Sequence, residues 1–144
     1  MLTGLQKYAG AALRRRGSIS KLQVMNTALV AAQSGLAPDE ALSDADFRGR
    51  LVESAVGAHL ANAAASGECE LFYWREDNRE VDFVVKAGGK LVAIEVKSGR
   101  RRESLPGMAA FVDRFRTTRP ILVGADGIPL EDFLARPASD WIRA

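Results

Sequence analysis

Glu80-Val81-Asp82-Phe83-Val84-Val85-Lys86-Ala87-Gly88-Gly89-Lys90-Leu91-Val92-Ala93-Ile94-Glu95-Val96-Lys97 is the stretch that decides how this chain folds. Two apolar runs flank a Gly-Gly pair. Such a pair between strands is a two-residue hairpin signal, because both central residues of the turn take positive φ. The turn sets a register in which Ala87 faces Lys90, Lys86 faces Leu91 and Asp82 faces Glu95. Cross-strand neighbours on one sheet face have Cβ atoms roughly 4.5–5.5 Å apart. Strand side chains repeat every second residue, so Lys97 shares the face of Glu95. Two carboxylates about 5 Å apart repel by about 3 kcal/mol at an effective dielectric of about 20. A fold that keeps such a pair calls for a cation between them. Asp, Glu and Lys beside a divalent metal are equipment for phosphodiester hydrolysis. A bulge would instead send one carboxylate to the opposite face.

Outward from the hairpin, Leu71-Phe72-Tyr73-Trp74 reads as a preceding strand, with a turn at Glu76-Asp77-Asn78. Val84-Val85 and the run from Leu91 to Val96 are apolar without alternation, which suits central strands covered on both faces. Upstream, apolar residues at helical spacing predict a helix from about Phe47 to Ala65, capped by Asp44 or Asp46 and ended by Gly67. Glu53 shares a line with Gly57, Leu60 and Ala64, a small-residue face that can approach a sheet closely. Downstream, Leu105 to Phe115 reads as a helix and Ile121-Leu122-Val123 as a strand. A strand, a crossover helix and a strand imply a parallel pair. Ile128-Pro129 begins a last short helix, with Trp141 in a tail beyond it. At the other end, Met1 to Leu13 reads as a short helix at most, and Lys21 to Met25 alternates like a short strand. Asn26 caps a helix through about Gln33, and Pro38 to Asp46 reads as a polar connector. Residues 1–35 form an N-terminal segment packed on or leading into a core domain of residues 36–144.

The chain has 144 residues, 47% of them hydrophobic, enough for one domain with a real core. A net charge of +2 is too small by itself to imply nucleic-acid binding, but Arg14 to Arg16 and Arg100 to Arg102 are local basic runs. A single cysteine, Cys69, rules out an internal disulfide and fits a reducing compartment. With one histidine, His59, there is no zinc-finger ligand set. No apolar stretch is long enough to span a bilayer, and no continuous apolar signal core opens the chain, so a cytoplasmic protein without a membrane partner is expected.

The order helix, three strands, helix, strand, with Glu53 in the first helix, Asp82 in the second strand and Glu95-Val96-Lys97 in the third, resembles the PD-(D/E)XK nuclease superfamily. Gly49-Arg50-Leu51-Val52-Glu53, Tyr73-Trp74-Arg75, Glu80-Val81-Asp82-Phe83 and Ile94-Glu95-Val96-Lys97-Ser98-Gly99 look like one branch of it. So does the earlier run from Lys21 to Leu29. That branch is the uncharacterised C-terminal domain carried by many prokaryotic AAA-type ATPases. The resemblance implies an α/β fold with a restriction-endonuclease-like core, a mixed central sheet flanked by helices. No G-x-x-x-x-G-K-[ST] phosphate loop is present, so the chain is expected to be the C-terminal part or a free-standing relative of such an ATPase.

On this resemblance Asp82 and Glu95 ligate Mg²⁺ or Mn²⁺, with the backbone carbonyl of Val96, and Glu53 completes the set through water. Lys97 orients the attacking water or stabilises phosphorane charge. The structural alternatives are a carboxylate pair neutralised by Lys97 or a nearby Arg, and Glu53 paired with Arg50 or a sheet cation. Glu80 reads as a structural partner of Lys97, and His59 as a packing residue. Arg75, Arg79, Arg100, Arg101 and Arg102 are candidate phosphate contacts on nucleic acid, DNA ahead of RNA. Tyr73 and Trp74 read as core. Two functions follow: a metal-dependent nuclease, or a catalytically inactive nucleic-acid- or protein-binding regulatory domain of an ATPase.

Overall fold

The computed structural model describes residues 2–10, 19–99 and 104–144. Its elements run β1 (Leu2–Lys7), β2 (Lys21–Val24), α1 (Thr27–Gln33), α2 (Pro38–Ser43), α3 (Ala45–Ala65), β3 (Glu70–Glu76), β4 (Arg79–Ala87), β5 (Lys90–Lys97), α4 (Pro106–Arg114), β6 (Thr118–Gly124), α5 (Leu130–Ala135) and α6 (Ala138–Arg143). The six strands form one mixed sheet in the order β2-β1-β3-β4-β5-β6. β5 and β6 are parallel, as are β1 and β3; the other neighbours are antiparallel.

Helices cover both faces. Val56, Leu60 and Ala63 of α3, with Phe133 and Ile142 of α5 and α6, pack on Phe83, Val85, Val92 and Ile94. Met108 and Phe111 of α4 pack on Trp74, Val81, Val84 and Ala93 on the other face. Coverage on both sides is why β4 and β5 lack polar alternation. Gly88 and Gly89 have φ of 54° and 80°, as a two-residue hairpin turn requires, and Ala87 pairs with Lys90. Asp44 caps α3 by accepting from the Phe47 N–H at 2.9 Å.

Several sequence expectations are corrected. The N-terminal segment is a strand, because Leu2 to Leu5 pair with β2 while Gln6 and Lys7 pair with β3. That pairing outweighs weak local helix propensity. The polar connector contains α2, whose first residue is Pro38, a position where the missing N–H costs nothing. Trp141 does not lie in a tail. It belongs to α6, stacks on Phe133 at 5.4 Å and donates its indole N–H to the Phe133 carbonyl.

Candidate functional site

The sheet forks between β4 and β5. Their ladder runs from Ala87↔Lys90 to Phe83↔Ile94, and no further pair follows. Beyond that point β4 stays with β3 as far as Arg79↔Glu76, while β5 stays with β6 as far as Lys97↔Gly124. β4 also bulges here. From Val84↔Phe72 to Val81↔Trp74 it spends one residue more than β3, so Asp82 and Phe83 together oppose Tyr73. As a result Val81 packs with the α4-side cluster and Phe83, two residues on, with the α3-side cluster. α4 backs the fork closely. A Cβ at Gly107 would lie 1.9 Å from the Glu80 carbonyl oxygen, so only glycine lets the helix start there.

The Asp82 side chain bridges the fork, with Glu95 beside it. The Val96 N–H donates to Asp82 Oδ2 at 2.8 Å. This bond links the strands beyond the last ladder pair. The Asp82 carboxylate thus reaches the backbone of β5 just beyond the last ladder pair. The expected ladder pairing of Asp82 with Glu95 is corrected: the β4–β5 pairing ends one step earlier, at Phe83↔Ile94, where β4 bulges. The bulge does not part them: burial, then the charges of Glu95 and Glu53, push the Asp82 carboxyl up to about 7. Burial also raises Glu95, which is 8% exposed, against the opposing pull of Lys97. Lys97 Nζ lies 3.2 Å from Glu95 Oε1, while Glu95 Oε2 is buried with no hydrogen-bond partner among the described residues.

Glu53 reaches the site from α3. Its partner is Lys21 of β2, whose Nζ lies 2.8 Å from Glu53 Oε1, 3.1 Å from Glu80 Oε1 and 4.0 Å from Asp82 Oδ1. Burial works against the ammonium, but the Glu53 bond and the surrounding carboxylates outweigh it and hold the Lys21 pKa above its ordinary value. Glu80 thus pairs with Lys21, and Lys97 with Glu95, in place of the Glu80–Lys97 pairing expected from sequence. Sequence reasoning missed Lys21. Its signals were its place at the head of an alternating strand, within the run that carries the family resemblance, and the sheet cation expected as an alternative partner of Glu53. That strand docks on α3 through Gln23, which donates to the Ser54 carbonyl and occupies the space a Cβ on Gly57 would fill.

A cleft of about 680 Å³ opens beside the fork, lined by Gly49, Arg50, Glu53, Val96, Lys97 and Ser98. Arg75 and Arg79 lie on exposed strand positions, 4.0 Å from Glu80 and 3.8 Å from Asp77 respectively. Arg100, Arg101 and Arg102 lie outside the described residues. His59 packs edge-on against Phe133, and Tyr73 and Trp74 are core.

Among the described residues, no group of three or more His, Cys, Asp and Glu side chains is arranged to hold a metal ion. The fork offers a pair. That pair suits Mg²⁺ in chemistry, since the ion takes hard oxygens, often from one or two carboxylates, and keeps its waters. The unpartnered Glu95 oxygen is a donor of this kind.

A sheet covered by helices on both faces, with carboxylates in a strand fork, defines the class of the protein. The chain belongs to the DUF4143 family: the profile of this domain of unknown function matches residues 48–133. The matched stretch holds Glu53, Asp82, Glu95 and Lys97 but not Lys21. No curated protein and no solved structure matches the chain. Among the described residues, no helix is long and apolar enough to cross a membrane.

Proposed function

We propose that the chain is a metal-dependent nuclease-like domain with a restriction-endonuclease-like core, hydrolysing phosphodiester bonds of nucleic acid, DNA ahead of RNA. One observation carries this reading. Asp82 is buried in the fork beside Glu95 and Glu53, with Lys21 4.0 Å away and Lys97 on Glu95, and burial first, then the two neighbouring carboxylates, push its carboxyl up to about 7. Mg²⁺ or Mn²⁺ would be held by Asp82, Glu95 and the Val96 carbonyl, with Glu53 through water. The ion supplies an acidified water and charge neutralisation. Lys97, fixed beside Glu95, offers its ammonium to the phosphate oxygens as charge builds on them. Arg75, Arg79 and Arg100 to Arg102 neutralise flanking phosphates. Because this family commonly sits at the C-terminus of AAA-type ATPases, the domain is read as the nuclease-like part or a free-standing relative of such a protein.

A second reading has its own support. Lys21 already neutralises Glu53 and Glu80. This favours a catalytically inactive domain that binds nucleic acid or protein and regulates an ATPase. Prolonged incubation of the folded protein with single- and double-stranded DNA and RNA, with Mg²⁺ and with Mn²⁺, separates the two. Slow cleavage without sequence preference is expected, abolished by Asp82→Ala, Glu95→Ala or Lys97→Ala. Survival of all four substrates would leave the regulatory reading.

A further inference from the structure

Lys21 sits where an acidic centre would otherwise face uncompensated charge. Its ammonium touches carboxylates from two elements, Glu53 of α3 and Glu80 of β4, and comes to 4.0 Å from Asp82. The contact is built rather than incidental. A strand repeat of two residues advances about 6.7 Å, close to the 5.4 Å pitch of a helix. Lys21 and Gln23 therefore both dock within one turn of α3, the first at Glu53 and the second at Ser54 and Gly57. The bare Gly57 surface lets Gln23 bury to 4% exposure, and that fixes β2 against the helix. The ammonium also lies 5.6 Å from the centre of the Phe83 ring. Lys21 and Glu80 line a second cleft, of about 570 Å³, so the Lys21–Glu53 pair forms the seam between this cleft and the one beside Lys97.

We propose that Lys21 is the resident cation of the acidic centre, pairing Glu53 in the metal-free protein and releasing it when a divalent ion binds at Asp82 and Glu95. This rests on the metal-dependent reading above. A tethered ammonium and a divalent ion both draw on the charge of Glu53, so each lowers the affinity of the centre for the other. By linkage the effect is mutual. β2 thereby becomes a gate on metal loading: whatever lifts this edge strand from α3 strengthens metal binding, and metal loosens the Lys21 contact.

Two measurements test this on the whole chain. The first is Mn²⁺ binding by calorimetry, with melting curves, for wild type, Lys21→Met and Lys21→Arg. Lys21→Met should melt lower without metal, bind Mn²⁺ roughly tenfold tighter and gain more from it, in the range typical of coupled sites. Lys21→Arg should stay near wild type. The second needs no variant: acylation of Lys21 in the wild-type protein, read by mass spectrometry, should rise several-fold when Mg²⁺ is added. If Mn²⁺ binds wild type and Lys21→Met equally, or Mg²⁺ leaves Lys21 acylation unchanged while binding is measurable, the gating role is overturned and the metal site stands. If neither protein binds Mn²⁺, both the gating role and the metal-dependent reading fall.

Discussion

Asp82 is the residue on which the chemistry and the stability of the fork meet. Its carboxyl titrates near 7 against an ordinary 3.8, so the folded chain holds a proton that the unfolded chain gives up. Folding then binds protons, and stability must fall as pH rises. The contribution is fully present below about pH 4 and is lost by the time the pH passes about 7. Asp82→Asn removes the charge, yet its side-chain oxygen can still accept from the Val96 N–H. Urea unfolding should show Asp82→Asn more stable than wild type above pH 7, with a flatter pH profile between those limits. Loss of stability at neutral pH would mean that Asp82 is held by a favourable ion pair, and the reading of an undercompensated centre would fail. Glu95, raised by burial, adds a slope of the same sign.

At the scale of elements, the fork depends on how α4 begins. Pro106 opens the helix, and Gly107 lets it sit directly on the backbone of Glu80. A Cβ there meets backbone atoms, 1.9 Å from the carbonyl oxygen and 2.7 Å from its carbon, and neither can swing aside as a side chain could. Gly107→Ala should therefore destabilise by about 2 kcal/mol, as overpacking does in closely packed cores. Denaturant unfolding measures this. A neutral or stabilising result would show that α4 can shift off β4. The β3–β4 bulge acts at the same level. It brings Asp82 and Phe83 to one place, where a regular strand would alternate them across the sheet.

For the whole molecule, charge distribution outweighs charge total. A net +2 steers little, but Arg75 and Arg79 lie exposed on β3 and β4, beside Lys21 and the fork. If this end of the sheet meets nucleic acid, affinity should fall linearly with the logarithm of salt concentration. Reversing both charges, Arg75→Glu with Arg79→Glu, should reduce the slope by about two, since each phosphate contact contributes close to one. Fluorescence anisotropy across a salt series reads this directly. An unchanged slope would take both residues out of the interface. At this scale Arg114 also ties the far side of the sheet, bonding both oxygens of Glu76 and drawing its pKa below the usual carboxylate range.

What the sequence determined by itself was local. Gly88-Gly89 specified the hairpin, and with it the register that carries Asp82 towards Glu95. Asp44 and Asn26 marked helix starts, and the doubly apolar strands announced a sheet covered on both faces. Each of these is decided by residues close together in the chain, so pattern alone reveals it. Tertiary structure decided the rest. The first residues became a strand only because β2 and β3 supply partners for their backbone. Trp141 entered the core because α5 presents Phe133 to it. Asp82 bonds the Val96 N–H across the fork because β4 follows β3 while β5 follows β6. Lys21 reached Glu53 across 32 residues of chain, through a strand whose docking depends on a glycine in a distant helix. Non-local pairing and the charge it gathers leave no periodic trace in a sequence, and so the cation of this centre became visible only once the chain was folded.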